Sequence, residues 1–114
     1  MKENLLLEKS KEFAIIILNL CDNIKNCNTI INQMSRSGTS IGANICEAQY
    51  AQSRADFISK LRIALKECIE TEYWLELLYK TNRINEITFK SIRNDAGVIR
   101  KMLISSCHTT KTNL

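Results

Sequence analysis

The sequence predicts an all-α protein, an antiparallel up-down-up-down four-helix bundle, and three observations predict it. The chain has no proline and only three glycines in 114 residues, whereas strand-rich folds need turn residues about every 8–12 positions. Apolar residues recur at steps of three and four along four long stretches. The breaks between those stretches are short and polar, and short connections force successive helices antiparallel.

The first helix is predicted from about Asn4 to Lys25, with Leu6, Phe13, Ile17, Leu20 and Ile24 on its stripe. Asn26, Cys27 and Asn28 end it, and Asn28 or Thr29 can cap the second helix, about Thr29 to Ala51. That helix turns Ile30, Met34, Ile41, Ile45 and Ala48 inward. Ser53 followed three residues later by Asp56 is an N-cap with an acid in the first turn, where it complements the helix dipole. The third helix, about Arg54 to Thr81, has the most regular seam: Phe57, Leu61, Ala64, Cys68, Thr71, Leu75 and Leu78, in alternating steps of four and three. Thr81-Asn82-Arg83 ends it. The fourth, about Asn85 to Ser106, carries Phe89, Ile92, Ala96, Ile99 and Leu103. Residues 1–107 are read as one bundle domain and 108–114 as a polar, frayed C-terminal tail.

Two features exceed what an isolated bundle needs. Leu5-Leu6-Leu7 and Ile15-Ile16-Ile17 put aliphatic side chains on more than one side of the first helix, and Ile58, Leu65, Tyr73 and Trp74 lie outside the third helix's seam. A wide stripe with scattered surface apolars is one reading; self-association through a second apolar face is the favoured one. The other feature is residues 35–48 of the second helix. Gly38 and Gly42 there each cost about 1 kcal/mol relative to alanine in a helix interior. Ser37, Gly38 and Gly42 permit close approach of a neighbouring backbone, while Ser40, Asn44 and Glu47 form a polar stripe at steps of four and three. Close packing with a polar network that fixes register, using Arg62 or Lys66 of the next helix as partners, is favoured over a ligand pocket.

The same segment carries a family resemblance. Arg36, Ser37, Ser40, Ile41, Ala43, Asn44, Ile45, Glu47 and Ala48 match a core of the form R-S-x-x-S-I-x-A-N-I-x-E-A/G. Ser53, Asp56 and Phe57 fit its continuation, as do Ala64-Leu65-Lys66-Glu67, Glu70 to Leu75 and Met102-Leu103 further on. The chain thus resembles, from about residue 10 to 106, the four-helix-bundle family of proteins encoded in intervening sequences of bacterial 23S ribosomal RNA genes. It departs where many members carry a proline at the start of helix two and a glycine-rich turn; Cys27-Asn28-Thr29 and Gln49-Tyr50-Ala51 stand there instead. The resemblance implies a ring-like homopentamer of bundles. It is also similar to the accessory variability proteins of diversity-generating retroelements, basic pentamers that bind nucleic acid and a reverse transcriptase. Most members of the family have no established activity.

Net charge is +4, and its placement is uneven. Residues 80–114 hold seven Lys or Arg against Glu86 and Asp95, a net of +5, so residues 1–79 contribute −1. Lys90, Arg93, Arg100 and Lys101 fall on a broad outward face of the fourth helix and are the candidate RNA- or DNA-binding residues. A protein-interaction scaffold, for example for a retroelement reverse transcriptase, is the alternative.

The residues argue against catalysis. The one histidine, His108, sits beside Cys107, and adjacent side chains chelate one metal poorly. Glu67, Glu70, Glu72 and Glu76 are read as a solvated face interleaved with Lys66 and Lys80. No phosphate loop, nucleophile elbow or Glu-x-x-His pair is present. The expectation is a non-enzymatic protein with no cofactor, metal or catalytic residue. Cys21, Cys27, Cys46, Cys68 and Cys107 are odd in number and lack a CxxC pair, so free thiols are expected. The N-terminus does not read as a signal peptide, and Phe13 to Leu18 is far short of the ~20 residues a membrane span needs. A cytoplasmic location without a membrane partner follows as the expectation.

Overall fold

The structure is a computed structural model that describes the backbone of residues 2–112 and the side chains of 5–109. Four helices follow in order: α1 (Lys2–Asp22), α2 (Asn28–Ala48), α3 (Arg54–Lys80) and α4 (Glu86–Thr112). Each packs on its chain neighbours, and α1 closes the ring on α4 through the slenderest of the four seams. The result is an antiparallel four-helix bundle measuring 46 × 21 × 19 Å. None of its helices, among the described residues, is long and apolar enough to cross a membrane.

Capping residues set where the helices start and stop. The Ser53 hydroxyl accepts the Asp56 N–H at 3.1 Å, and Asp56 Oδ2 in return accepts the Gln52 N–H at 3.2 Å. Asn85 Oδ1 accepts the Thr88 N–H at 2.8 Å, capping α4 in the same way. At the end of α3, Asn82 adopts φ 61°, the left-handed conformation that asparagine tolerates. The N–H of Arg83 then reaches the Leu78 carbonyl at 2.9 Å and that of Asn82 reaches Tyr79 at 3.0 Å, which is the Schellman closure. Asn26 repeats the left-handed step, φ 65°, between α1 and α2. The expected cap of α2 is corrected: Cys27 occupies the N-cap position without a side-chain bond, and Asn28 is already helical. At the other end of the chain, α4 continues to Thr112 instead of stopping at Ser106, so the segment read as a tail is helical as far as it is described. Asn113, Leu114 and the Lys111 side chain lie outside the described residues.

The seams converge on one apolar core. All five expected α4 residues are buried, as are Leu6, Phe13 and Ile17 of α1 and Met34, Ile41, Ile45 and Ala48 of α2. In α3 the seam starts one residue late: Ile58, expected outside it, is buried, and Phe57 is only partly so. The two α2 glycines lie against α1. A Cβ on Gly38 would come within 2.8 Å of Ile17 Cγ2, and one on Gly42 within 3.1 Å of Ser10 Oγ. Their weak helix propensity is offset by a backbone approach that no larger residue permits.

Candidate nucleic-acid interface and its supporting polar network

The four basic residues of α4 share one strip beside its buried seam, and each is held differently. Lys90 is exposed and pairs with Glu86 one turn earlier at 3.6 Å. Arg93 lies over the Phe89 ring, 4.8 Å from its centroid, and that ring stacks on Tyr79 of α3 at 4.3 Å. Arg100 is half-buried and crosses to α3, donating from Nε to Glu72 Oε2 at 2.9 Å. Lys101 is exposed and has no carboxylate within ion-pair reach among the described residues. The strip therefore offers Lys90, Arg93 and Lys101 to a ligand, whereas Arg100 ties α4 to α3.

The polar stripe on α2 is present, with different partners from those expected. Asn44 donates to the Ser40 carbonyl at 2.9 Å, within its own helix. Glu47 pairs with Lys60 at 3.2 Å, in place of Arg62 or Lys66. Neither Ser40 nor Asn44 links α2 to α3.

That link lies one helix step away and was not legible as a site. Arg36 of α2 donates from one guanidinium nitrogen to Glu67 Oε2 at 3.0 Å and from the other to Glu70 Oε2. The Trp74 indole N–H reaches the same Glu70 oxygen at 3.0 Å. These bonds hold the Glu70 carboxyl below the usual carboxylate range, Trp74 contributing most and Arg36 next against the opposing cost of burial. Chiefly through its bond to Glu70, the Arg36 guanidinium is pushed above its ordinary value. Beneath this pair, the buried hydroxyls of Ser37 and Thr71 lie 2.7 Å apart. Thr71 also reaches the Glu67 carbonyl at 2.8 Å. With one proton on each hydroxyl, both short contacts are satisfied when Thr71 donates to Glu67 and Ser37 donates to Thr71. Glu67, Glu70 and Trp74 follow at steps of three and four, and this spacing was the available signal. Of the acidic face expected to be solvated, only Glu76, paired with Lys80 at 3.3 Å, behaves as expected.

The cysteines are free thiols. Burial pushes Cys68 up to about 12, and its Sγ donates to the Ala96 carbonyl at 3.4 Å. Cys21 and Cys107 are also raised, mainly by burial. Among the described residues, no three His, Cys, Asp or Glu side chains gather closely enough to hold a metal ion. A shallow groove of about 120 Å³ between α1 and α4 is lined by apolar residues such as Phe13, Ile16 and Val98, with Lys9, Glu12 and Asp95 at its rim.

Comparison with known proteins agrees with this architecture. A crystal structure of a protein of unknown function from the S23 ribosomal protein family of Bacteroides thetaiotaomicron superposes with a TM-score of 0.89. It is 54% identical, and the match covers 95% of this chain and 99% of that one. A search of curated proteins gives no match. The family model described as 23S rRNA-intervening sequence protein matches residues 2–105, from the start of α1 nearly to the end of α4, and the chain belongs to that family.

Proposed function

We propose that this protein is a non-enzymatic, cytoplasmic oligomer that binds RNA or DNA through the basic strip of α4. The observation that carries this reading is the concentration of charge: the net +5 of residues 80–114 falls largely on one helix, with Lys90, Arg93 and Lys101 turned to solvent. Such a strip neutralises phosphates without reading bases, so binding is salt-dependent and weakly sequence-specific.

Oligomerisation is supported by α1. Leu5, Ile15 and Leu18 are 52%, 59% and 45% exposed on the side turned away from the core. Burying such a face against further copies, five in the ring that the family resemblance implies, repeats the basic strip and lets weak contacts add.

The test is gel-shift titration with structured RNA and with DNA at two salt concentrations. Wild type is compared with Lys90→Glu/Arg93→Glu/Lys101→Glu, which spares the structural Arg100. Binding that weakens with salt and disappears in the variant is expected, with oligomer mass unchanged by light scattering. No shift at low salt would overturn the reading, and a monomeric mass would overturn its oligomeric half. The second reading, a scaffold for a protein such as a reverse transcriptase, rests on the exposed aliphatic face of α1; it predicts partner capture indifferent to the α4 charges.

A further inference from the structure

Exposed apolar surface and positive charge coincide on one side of the bundle. Arg62, Lys66, Ile69 and Tyr73 of α3 follow at steps of four, three and four, which places them along one ridge. All four are exposed, Ile69 to 52% and Tyr73 to 56%. The ridge adjoins the basic strip of α4. Glu72, next to Tyr73 in the chain, takes the Arg100 bond at 2.9 Å, and Arg62 lies close enough to Cys107 for its charge to act on that thiol. The acids that would oppose a negative ligand are already engaged: Glu67 and Glu70 by Arg36, Glu72 by Arg100, and the exposed Glu76, one turn beyond Tyr73, by Lys80 at 3.3 Å. What remains is a cationic surface with an aromatic ring standing in it.

That ring is held in place. Tyr73 meets Trp74 edge to face, with centroids 5.0 Å apart and planes at 66°. Trp74 is in turn bonded to Glu70, which Arg36 clamps from α2. A tyrosine so oriented is a stacking platform, and stacking needs a base whose face is free. Duplexes hide those faces and present phosphate, for which a tyrosine ring offers nothing that the lysines do not. A second copy of the chain is disfavoured because two such ridges would bring like charges together.

We infer that the α3–α4 face takes a single-stranded nucleic-acid segment, one base stacking on Tyr73 while flanking phosphates are drawn to Lys66, Arg93 and Lys101. This deepens the nucleic-acid reading above and rests on it. Base–aromatic stacking is sequence-tolerant, so the ligand is defined by its strandedness.

The experiment uses Trp74, the chain's single tryptophan, as reporter. A 12-nucleotide single-stranded RNA and a duplex of the same length are titrated at low salt against wild type, Tyr73→Ala, Tyr73→Phe and Arg93→Glu/Lys101→Glu. The single strand is expected to change Trp74 fluorescence and to bind more tightly than the duplex. Tyr73→Ala should weaken single-strand binding at least about fivefold and leave duplex binding within about twofold, while Tyr73→Phe binds as wild type does. The exposed ring can be removed without opening the core, and circular dichroism verifies that. Charge-sensitive binding that Tyr73→Ala leaves unchanged, or that does not distinguish single strand from duplex, overturns this inference and spares the broader reading. Absence of binding to either ligand overturns this inference, and absence of a shift with the structured RNA and DNA of the gel-shift test as well overturns both. Binding of an acidic amphipathic helical peptide, weakened by Tyr73→Ala and without any nucleic-acid signal, would assign the face to a protein partner and overturn both as well.

Discussion

Arg100 Nε and Glu72 Oε2 meet at 2.9 Å across the α3–α4 seam, with their side chains 34% and 20% exposed. The pair removes one cation from the strip that a basic-face reading treats as uniform. Arg100→Ala should therefore behave unlike its neighbours, costing about 1 kcal/mol and lowering Tm by about 4–6 °C. Lys101→Ala should leave Tm within about 1 °C. Thermal melts followed by circular dichroism separate the two. Equal effects would mean that Arg100 is a surface charge like the others.

Gly38 of α2 and Gly97 of α4 should respond to alanine with opposite signs. Gly38→Ala drives a Cβ to 2.8 Å from the buried Ile17 side chain, and overpacking outweighs the gain in helix propensity by about 1–2 kcal/mol. Gly97→Ala meets nothing nearer than Arg100 at 3.7 Å, so propensity prevails and stability rises by up to about 1 kcal/mol. In urea titrations, Gly38→Ala combined with Ile17→Ala should cost less than the sum of the single changes. Strict additivity would show that the two side chains do not collide.

Acid stability should depend on Glu70. Its folded pKa lies below the unfolded value, so the unfolded state binds the proton more readily and stability rises with pH across that window. The contribution is complete above the unfolded carboxylate pKa, about 4.3, and is lost as pH falls through the depressed folded value. Glu70→Gln should flatten this part of the pH profile and alter Trp74 fluorescence, since the indole loses its charged acceptor. An unchanged profile would remove Glu70 from the acid response.

Thiol chemistry should follow burial. Cys46 is exposed and Cys68 is buried with its pKa pushed up to about 12. At pH 8 a neutral alkylating reagent should label Cys46 in the folded protein and Cys68 only on unfolding, as read by mass spectrometry. Above pH 9 or so the unfolded thiol ionises first, so the stability that Cys68 contributes falls between there and about 12. Cys68→Ala should blunt that alkaline loss.

How much of this was legible in sequence varies by element. The seams of α3 and α4 were readable nearly residue by residue, because a regular three-four rhythm specifies which face is inward whatever it packs on. The one slip, Phe57 for Ile58, falls in the first turn of α3, where a helix enters the core at an angle that its own period does not set. The Ser53 cap and the stop at Thr81-Asn82-Arg83 were readable because they act within a few residues, whereas the expected cap of α2 was not met. The α4 strip was readable as a set of charges and not as a division of labour among them.

By itself, then, the sequence determined the four helices, nearly all of their inward faces, the close-packing role of Gly38, and the resemblance to the 23S rRNA intervening-sequence family, which the match over residues 2–105 upholds. Tertiary structure alone decided which charges meet. Arg36 and Glu67 are 31 residues apart and Glu72 and Arg100 are 28 apart. Whether such groups touch depends on the rotation and axial offset of whole helices, which no local pattern encodes. Those offsets engage Glu67, Glu70 and Glu72 on the flanks of α3 and leave Tyr73 exposed between them.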